Sequence, residues 1–134
     1  MIVDSYAWIE FLGGSSRDDE IRSVLSRADF VMTPDIVLAE VARKLLRDGI
    51  AVGTAREKLA QVAAIGRPYP ITVSVAIGAY EADRDPRANA KSRKLGLPGL
   101  TDALVLATAR ALSGGVLTGD PHFKGLPETI WIGA

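Results

Sequence analysis

Four carboxylates stand where a chain of this kind could do chemistry with them. Asp4 follows the apolar run Met1-Ile2-Val3, and Glu40 lies inside Ile36-Val37-Leu38-Ala39-Glu40-Val41-Ala42. Asp102 opens the apolar stretch Ala103 to Ala107, and Asp120 follows Val116-Leu117-Thr118-Gly119. Four clustered anions repel one another and hold on to protons unless a cation joins them. The chain has no cysteine and one histidine, His122, so thiolate and multi-histidine zinc sites are excluded. Oxygen donors favour Mg²⁺ or Mn²⁺. An ion held this way orients and activates water and neutralises phosphoryl charge, which is the chemistry of phosphodiester hydrolysis.

The elements that must position these acids can be read from apolar period and punctuation. Short apolar runs at Met1–Val3, Phe30–Met32, Ile71–Val73, Val116–Thr118 and Thr129–Ile132 read as strands. Between them lie helical segments. Tyr6 to Leu12 stops at Gly13-Gly14, and Arg17 to Arg27 carries Ile21, Val24 and Leu25 at helical spacing. Thr33-Pro34-Asp35 reads as a helix start, with Thr33 as N-cap and Pro34 in the first position, and Gly49 as the stop. Thr54 to Ile65 and Val75 to Ala82 follow; Pro86 is expected to break the second of these before a basic helix from Arg87 to Leu95. The stretch from Leu100 to Arg110 is apolar all round after Asp102, as in a buried helix, with Thr101 available as a cap. Strands alternating with helices predict an α/β domain with a mainly parallel sheet of about five strands.

In such a sheet, ligands bind beyond the carboxyl ends of the strands. Asp4 and Asp120 each follow a strand, Asp102 begins a helix, and Glu40 lies two turns into a helix entered from that same end. The four are therefore expected at one edge, with Thr118 placed to hydrogen-bond within the cluster.

The remaining numbers bound the molecule. A chain of 134 residues fits one domain, residues 1–134. No apolar run approaches a bilayer span, and no charged segment precedes an apolar core at the amino terminus, so a cytoplasmic protein without membrane contact is expected. Sixteen basic and sixteen acidic residues cancel, and a whole-domain basic footprint for nucleic acid is missing. Charge is locally uneven, however: Asp83 to Lys94 holds five cations against two carboxylates. Arg87, Lys91, Arg93 and Lys94 are the candidate phosphate contacts.

The constellation resembles the PIN-domain ribonucleases, in particular the VapC toxins of type II toxin–antitoxin pairs. It rests on Ile-Val-Asp-Ser with Asp4, Thr-Pro-Asp-Ile-Val-Leu-Ala-Glu-Val with Glu40, Thr-Asp-Ala-Leu-Val-Leu-Ala-Thr-Ala with Asp102, and Leu-Thr-Gly-Asp-Pro-His-Phe-Lys-Gly-Leu with Asp120. The order and spacing of these pieces span essentially the whole chain. The resemblance implies a three-layer α/β/α domain and a Mg²⁺- or Mn²⁺-dependent endoribonuclease. It also implies a homodimer and a small cognate VapB-like antitoxin. Carried over residue by residue, it makes Asp4 and Asp102 the metal ligands, while Glu40 and Asp120 complete the pocket.

Other readings stay open at this point. Asp4 and Asp102 could be helix caps, Asp120 a turn residue, and Glu40 a partner of Arg43 or Lys44. His122 reads as a surface or packing residue. A PIN-fold module that binds RNA or a protein without turnover, or a PIN nuclease of RNA processing, would share the same sequence features. A phosphohydrolase or receiver using Asp4 as nucleophile would need a nearby lysine, for which Lys124 is the one candidate.

Overall fold

β1 (Ile2–Val3) forms the centre of the sheet because both its residues are apolar, β-branched and wholly buried. The computed structural model describes the backbone of residues 1–134 and every side chain except that of Ser92. Five strands run in the order β3-β2-β1-β4-β5, all parallel: β2 is Met32–Pro34, β3 Arg67–Tyr69, β4 Val116–Thr118 and β5 Thr129–Trp131. Ile2 lies opposite Met32 on one side and Val116 on the other, with Val3 opposite Leu117. Parallel neighbours need long crossovers, and helices supply them. α1 (Ser5–Leu12) and α2 (Asp18–Arg27) join β1 to β2, and α3 (Asp35–Arg47) and α4 (Val52–Ile65) join β2 to β3. α5 (Val73–Ala82), α6 (Arg84–Arg93) and α7 (Leu100–Ala111) lead to β4. The expected α/β architecture, with helices flanking a parallel sheet, is the observed one.

α7 has the burial its sequence predicts. Every residue from Ala103 to Ala109 is buried, and the helix packs on β1, β2 and β4. Thr108 is the one polar residue in that run, and its hydroxyl donates to Leu104 O at 2.7 Å.

Several local expectations are corrected. The second strand lies at Met32–Pro34 rather than Phe30–Met32, and Thr33 does not cap α3. Thr33 is fully buried and its hydroxyl accepts the indole N–H of Trp8 at 3.2 Å, a bond that draws it into the sheet. Pro34 then occupies the cap position with no side-chain cap bond, and Asp35 is the first helical residue. The third strand is Arg67–Tyr69, not Ile71–Val73. Thr72 instead caps α5 by accepting the N–H of Val75 at 3.1 Å, which commits Val73 to the first helical turn. Arg67-Pro68 suits an edge strand, where a missing N–H costs no ladder bond. Pro86 does interrupt the helix at Ala82, four residues earlier, but the basic helix begins at Arg84 rather than Arg87, because a proline is tolerated in a first turn, where an N–H would have no helical partner. Finally, Gly99 rather than Thr101 is the N-cap of α7.

The Trp8–Thr33 contact makes one glycine indispensable. A Cβ on Gly66 would lie 2.5 Å from Thr33 Oγ1 and 2.7 Å from Trp8 Cζ2. Gly66→Ala is expected to lower stability by about 1–3 kcal/mol, the usual cost of overpacking a filled core. A urea titration reads this as a lower midpoint at unchanged slope.

Candidate active site

The sheet order places β1 and β4 side by side although the chain leaves β1 toward β2. Between β1 and β4 the winding direction reverses, and at such a point a crevice opens beyond the carboxyl ends of the strands. Asp4 leaves β1 there, and the Thr118-Gly119-Asp120 segment leaves β4.

Asp4 is 2% exposed and both its oxygens are engaged. Oδ1 accepts the N–H of Ser5 at 2.8 Å, capping α1, and Oδ2 accepts the hydroxyl of Thr118 at 2.7 Å. Thr118 in turn accepts the backbone N–H of Asp120 at 3.0 Å, so one hydroxyl ties the Asp4 carboxylate to the Asp120 main chain. Asp102, half-buried at the start of α7, reaches back to accept the N–H of Gly99 at 3.0 Å. Capping is thus real for Asp4 and Asp102, and it orients their carboxylates rather than removing them from the site.

The proximity of the acids shifts their protonation. Burial pushes the Asp4 carboxyl up to about 7; the Thr118 bond opposes this, and the Asp102 and Asp120 charges add to it. Burial likewise pushes Asp102 up to about 6, with the Asp120 and Glu40 charges in the same direction. The bond from Gly99 and the charge of His122 act against that rise. One ligand atom each from Asp102, Asp120 and His122 lies within 4.8 Å of the others. Both imidazole nitrogens are already engaged, on Asp120 and Gly96, and the carboxylate oxygens, with no thiolate beside them, fit a hard divalent ion such as Mg²⁺ or Mn²⁺.

A cleft of about 400 Å³ opens beside the cluster, lined among others by Asp4, Tyr6, Glu40, Arg43, Arg47 and Asp120. Its glycine neighbour Gly119 is close-packed, since a Cβ there would meet the Tyr6 ring at 2.4 Å. Glu40 faces this cleft on α3 and forms no ion pair among the described residues. Lys44 pairs instead with Asp48, at 3.2 Å. Arg43, Lys44 and Arg47 also line the cleft, three and four residues apart on the stripe that carries Glu40. Sequence reasoning passed over Arg43 and Lys44 as helical partners of Glu40 and did not single out Arg47; their helical spacing from Glu40 was the available signal.

The basic segment lies elsewhere. Arg87, Lys91, Arg93 and Lys94 are exposed along α6 and its left-handed end at Lys94, and none lines the carboxylate cleft. Arg87 is ion-paired to Asp83. α6 packs on the turn that carries Asp120, through Asn89, whose amide donates to His122 O at 2.7 Å and Lys124 O at 3.0 Å. His122 is the residue sequence reasoning placed outside the chemistry and the structure places in the cluster. Lys124 lies over the Trp131 ring, 5.0 Å from its centroid, which removes the lysine that a phospho-accepting Asp4 would need.

No curated protein matched the sequence. Solved structures share the fold at low identity. A toxin–antitoxin complex from Klebsiella pneumoniae aligns at 18% identity and TM-score 0.67, covering 96% of this chain and 94% of that one. VapBC2 from Rickettsia felis, bound to a DNA fragment from its promoter, aligns at 15% and 0.70, covering 99% and 97%. Mycobacterium tuberculosis VapC20, a toxin that cleaves the sarcin–ricin loop, aligns at 20% and 0.62, covering 95% and 96%. At the level of sequence, a family model describes residues 1–128 almost end to end, and the chain belongs to the PIN domain family.

Proposed function

We propose that the chain is a divalent-metal-dependent endoribonuclease, the toxin of a VapBC-type pair acting in the cytoplasm. The observation that carries this reading is the buried Asp4, coupled through Thr118 to Asp120 and facing Asp102 at the switch point of the sheet. Asp4 and Asp102 would hold Mg²⁺ or Mn²⁺, with Glu40 and Asp120 completing the pocket and Asp120, within 4.8 Å of Asp102, reaching the same ion. The bound ion would supply Lewis acidity toward a phosphodiester oxygen and acidify a bound water.

The chain's own residues do the rest. Thr118 and the Ser5 N–H fix the Asp4 carboxylate, and the Gly99 N–H fixes Asp102. Arg43, Lys44 and Arg47 offer an RNA backbone its phosphate contacts at the cleft wall. Arg87, Lys91, Arg93 and Lys94 would attract the strand from farther out along α6. The folds of two toxin–antitoxin complexes support a VapB-like antitoxin as partner. For the homodimer the supporting feature is an apolar stripe on α5, where Val73, Ile77 and Tyr80 stand at helical spacing beside Leu97 and Leu100, each at least 70% exposed.

Purified chain incubated with RNA should cut internally when Mn²⁺ or Mg²⁺ is added and not when the ion is chelated. Binding of RNA without any cleavage under both ions would instead support a module without turnover. Replacing Arg43 and Arg47 together by alanine should raise KM about tenfold and flatten its salt dependence by roughly two phosphate contacts, with kcat little changed. A kcat loss at unchanged KM would place those arginines outside substrate binding.

A further inference from the structure

His122 joins a local cap to a distant carbonyl. Its backbone N–H and ring Nδ1 both approach Asp120 Oδ1, at 2.9 and 2.8 Å, and its ring Nε2 approaches Gly96 O at 2.6 Å. Gly96 lies in the segment that leads from α6 to the N-cap of α7, and three residues later Gly99 donates to Asp102. One imidazole therefore spans from the Asp120 carboxylate to the backbone that sets Asp102. Asn89 holds the same turn from α6, so the ring is fixed at its backbone as well as at both nitrogens.

We propose that His122 is a positioning residue for the metal pocket, a strut that ties the Asp120 turn to the segment before α7 and so holds Asp120 and Asp102 at chelating separation. This rests on the reading that these carboxylates hold a divalent ion. The physical argument is one of rigidity. A carboxylate on a turn has two free torsions, and donors from both the backbone and the ring of one residue remove them. A site organised before the ion arrives binds it more tightly than one that must order itself. Nothing on α7 itself supplies this link, because the Gly96 carbonyl lies in the loop ahead of that helix. In this role the imidazole acts through Asp120 and does not touch the ion.

The test is calorimetric titration of Mn²⁺ into the unaltered chain, His122→Ala and His122→Asn, each checked for native fold by circular dichroism. His122→Ala is expected to weaken Mn²⁺ binding about 10–100-fold, as loss of an outer partner of a metal-bound carboxylate does elsewhere. His122→Asn can still present an N–H to Asp120 and should recover part of that loss. Pulsed electron paramagnetic resonance of the Mn²⁺-loaded unaltered chain should show no strong coupling to a directly bound ¹⁴N. Equal Mn²⁺ affinity in the unaltered chain and His122→Ala overturns the strut, as does a directly bound imidazole nitrogen. Absence of Mn²⁺ binding by the unaltered chain overturns the metal reading itself, and the strut with it, and is distinguished from the other outcomes by that first titration.

Discussion

Asp4→Asn and Asp102→Asn are each expected to lower RNA cleavage a hundredfold or more while leaving the fold intact. An amide keeps the shape of the carboxylate and loses its charge. Losing only an outer partner of a metal-bound residue already costs about 10–100-fold in affinity or activity, so loss of a ligand should cost at least the upper end of that range. The fold should tolerate both changes. An Asn oxygen at position 4 can still accept from Ser5, and one at position 102 can still accept from Gly99. Asp4 also carries a charge that its burial disfavours, so removing it should not lower the melting temperature at pH 8 in chelator. Single-turnover cleavage and thermal melting of the same preparations separate the two effects. Wild-type cleavage by either variant would remove that carboxylate from the chemistry.

The stability of the metal-free chain should fall as pH rises, against the common pattern for paired carboxylates. Asp4 is pushed from 3.8 to about 7 and Asp102 from 3.8 to about 6. Between those limits the folded chain binds more protons than the unfolded chain, so unfolding becomes easier with increasing pH. His122 adds to the same slope. Burial alone would lower its pKa, but the bonds to Gly96 and Asp120 outweigh that and raise it above 6.5. Its contribution is full below 6.5 and is lost as pH passes through the raised value. The expected result is a melting temperature in chelator that drops from pH 5 to pH 8. Asp4→Asn should flatten the drop. Mn²⁺ at pH 8 should reverse it, since an ion at a hundred times its Kd stabilises the folded state by about 2.7 kcal/mol. A melting temperature that climbs over that pH range would mean the carboxylates are not crowded as the structure has them.

The residues of the site differed in how far the sequence exposed them. Asp4, Asp102 and Asp120 were legible because each stands at the end of an apolar segment, and strand ends in a parallel sheet share an edge. α7 was legible for the same reason, as burial on all sides leaves an unbroken apolar run. His122 was not, since its ring meets a carbonyl 26 residues earlier and no local pattern records that meeting. Arg43 and Lys44 were ambiguous in the sequence, since Lys44 has an acid four residues to either side, Glu40 and Asp48, and Arg47 carried no signal of its own. The structure settles Lys44 on Asp48 and leaves Glu40 facing the cleft. The third strand was missed because β-branched residues suit both a strand and the first turn of a capped helix, and the Thr72 cap decides for the helix.

The position of β1 also governs when the acidic pocket can form. It is made first and lies in the middle of the sheet, and Asp4 waits for a hydroxyl 114 residues downstream. A ribosome adding roughly 5–20 residues per second leaves that carboxylate without its partner for several seconds or more. Until Thr118 and Asp120 have emerged, a nascent chain has three of its five strands and no completed acidic pocket. A chain interrupted before those residues therefore lacks the pocket on which the proposed chemistry depends.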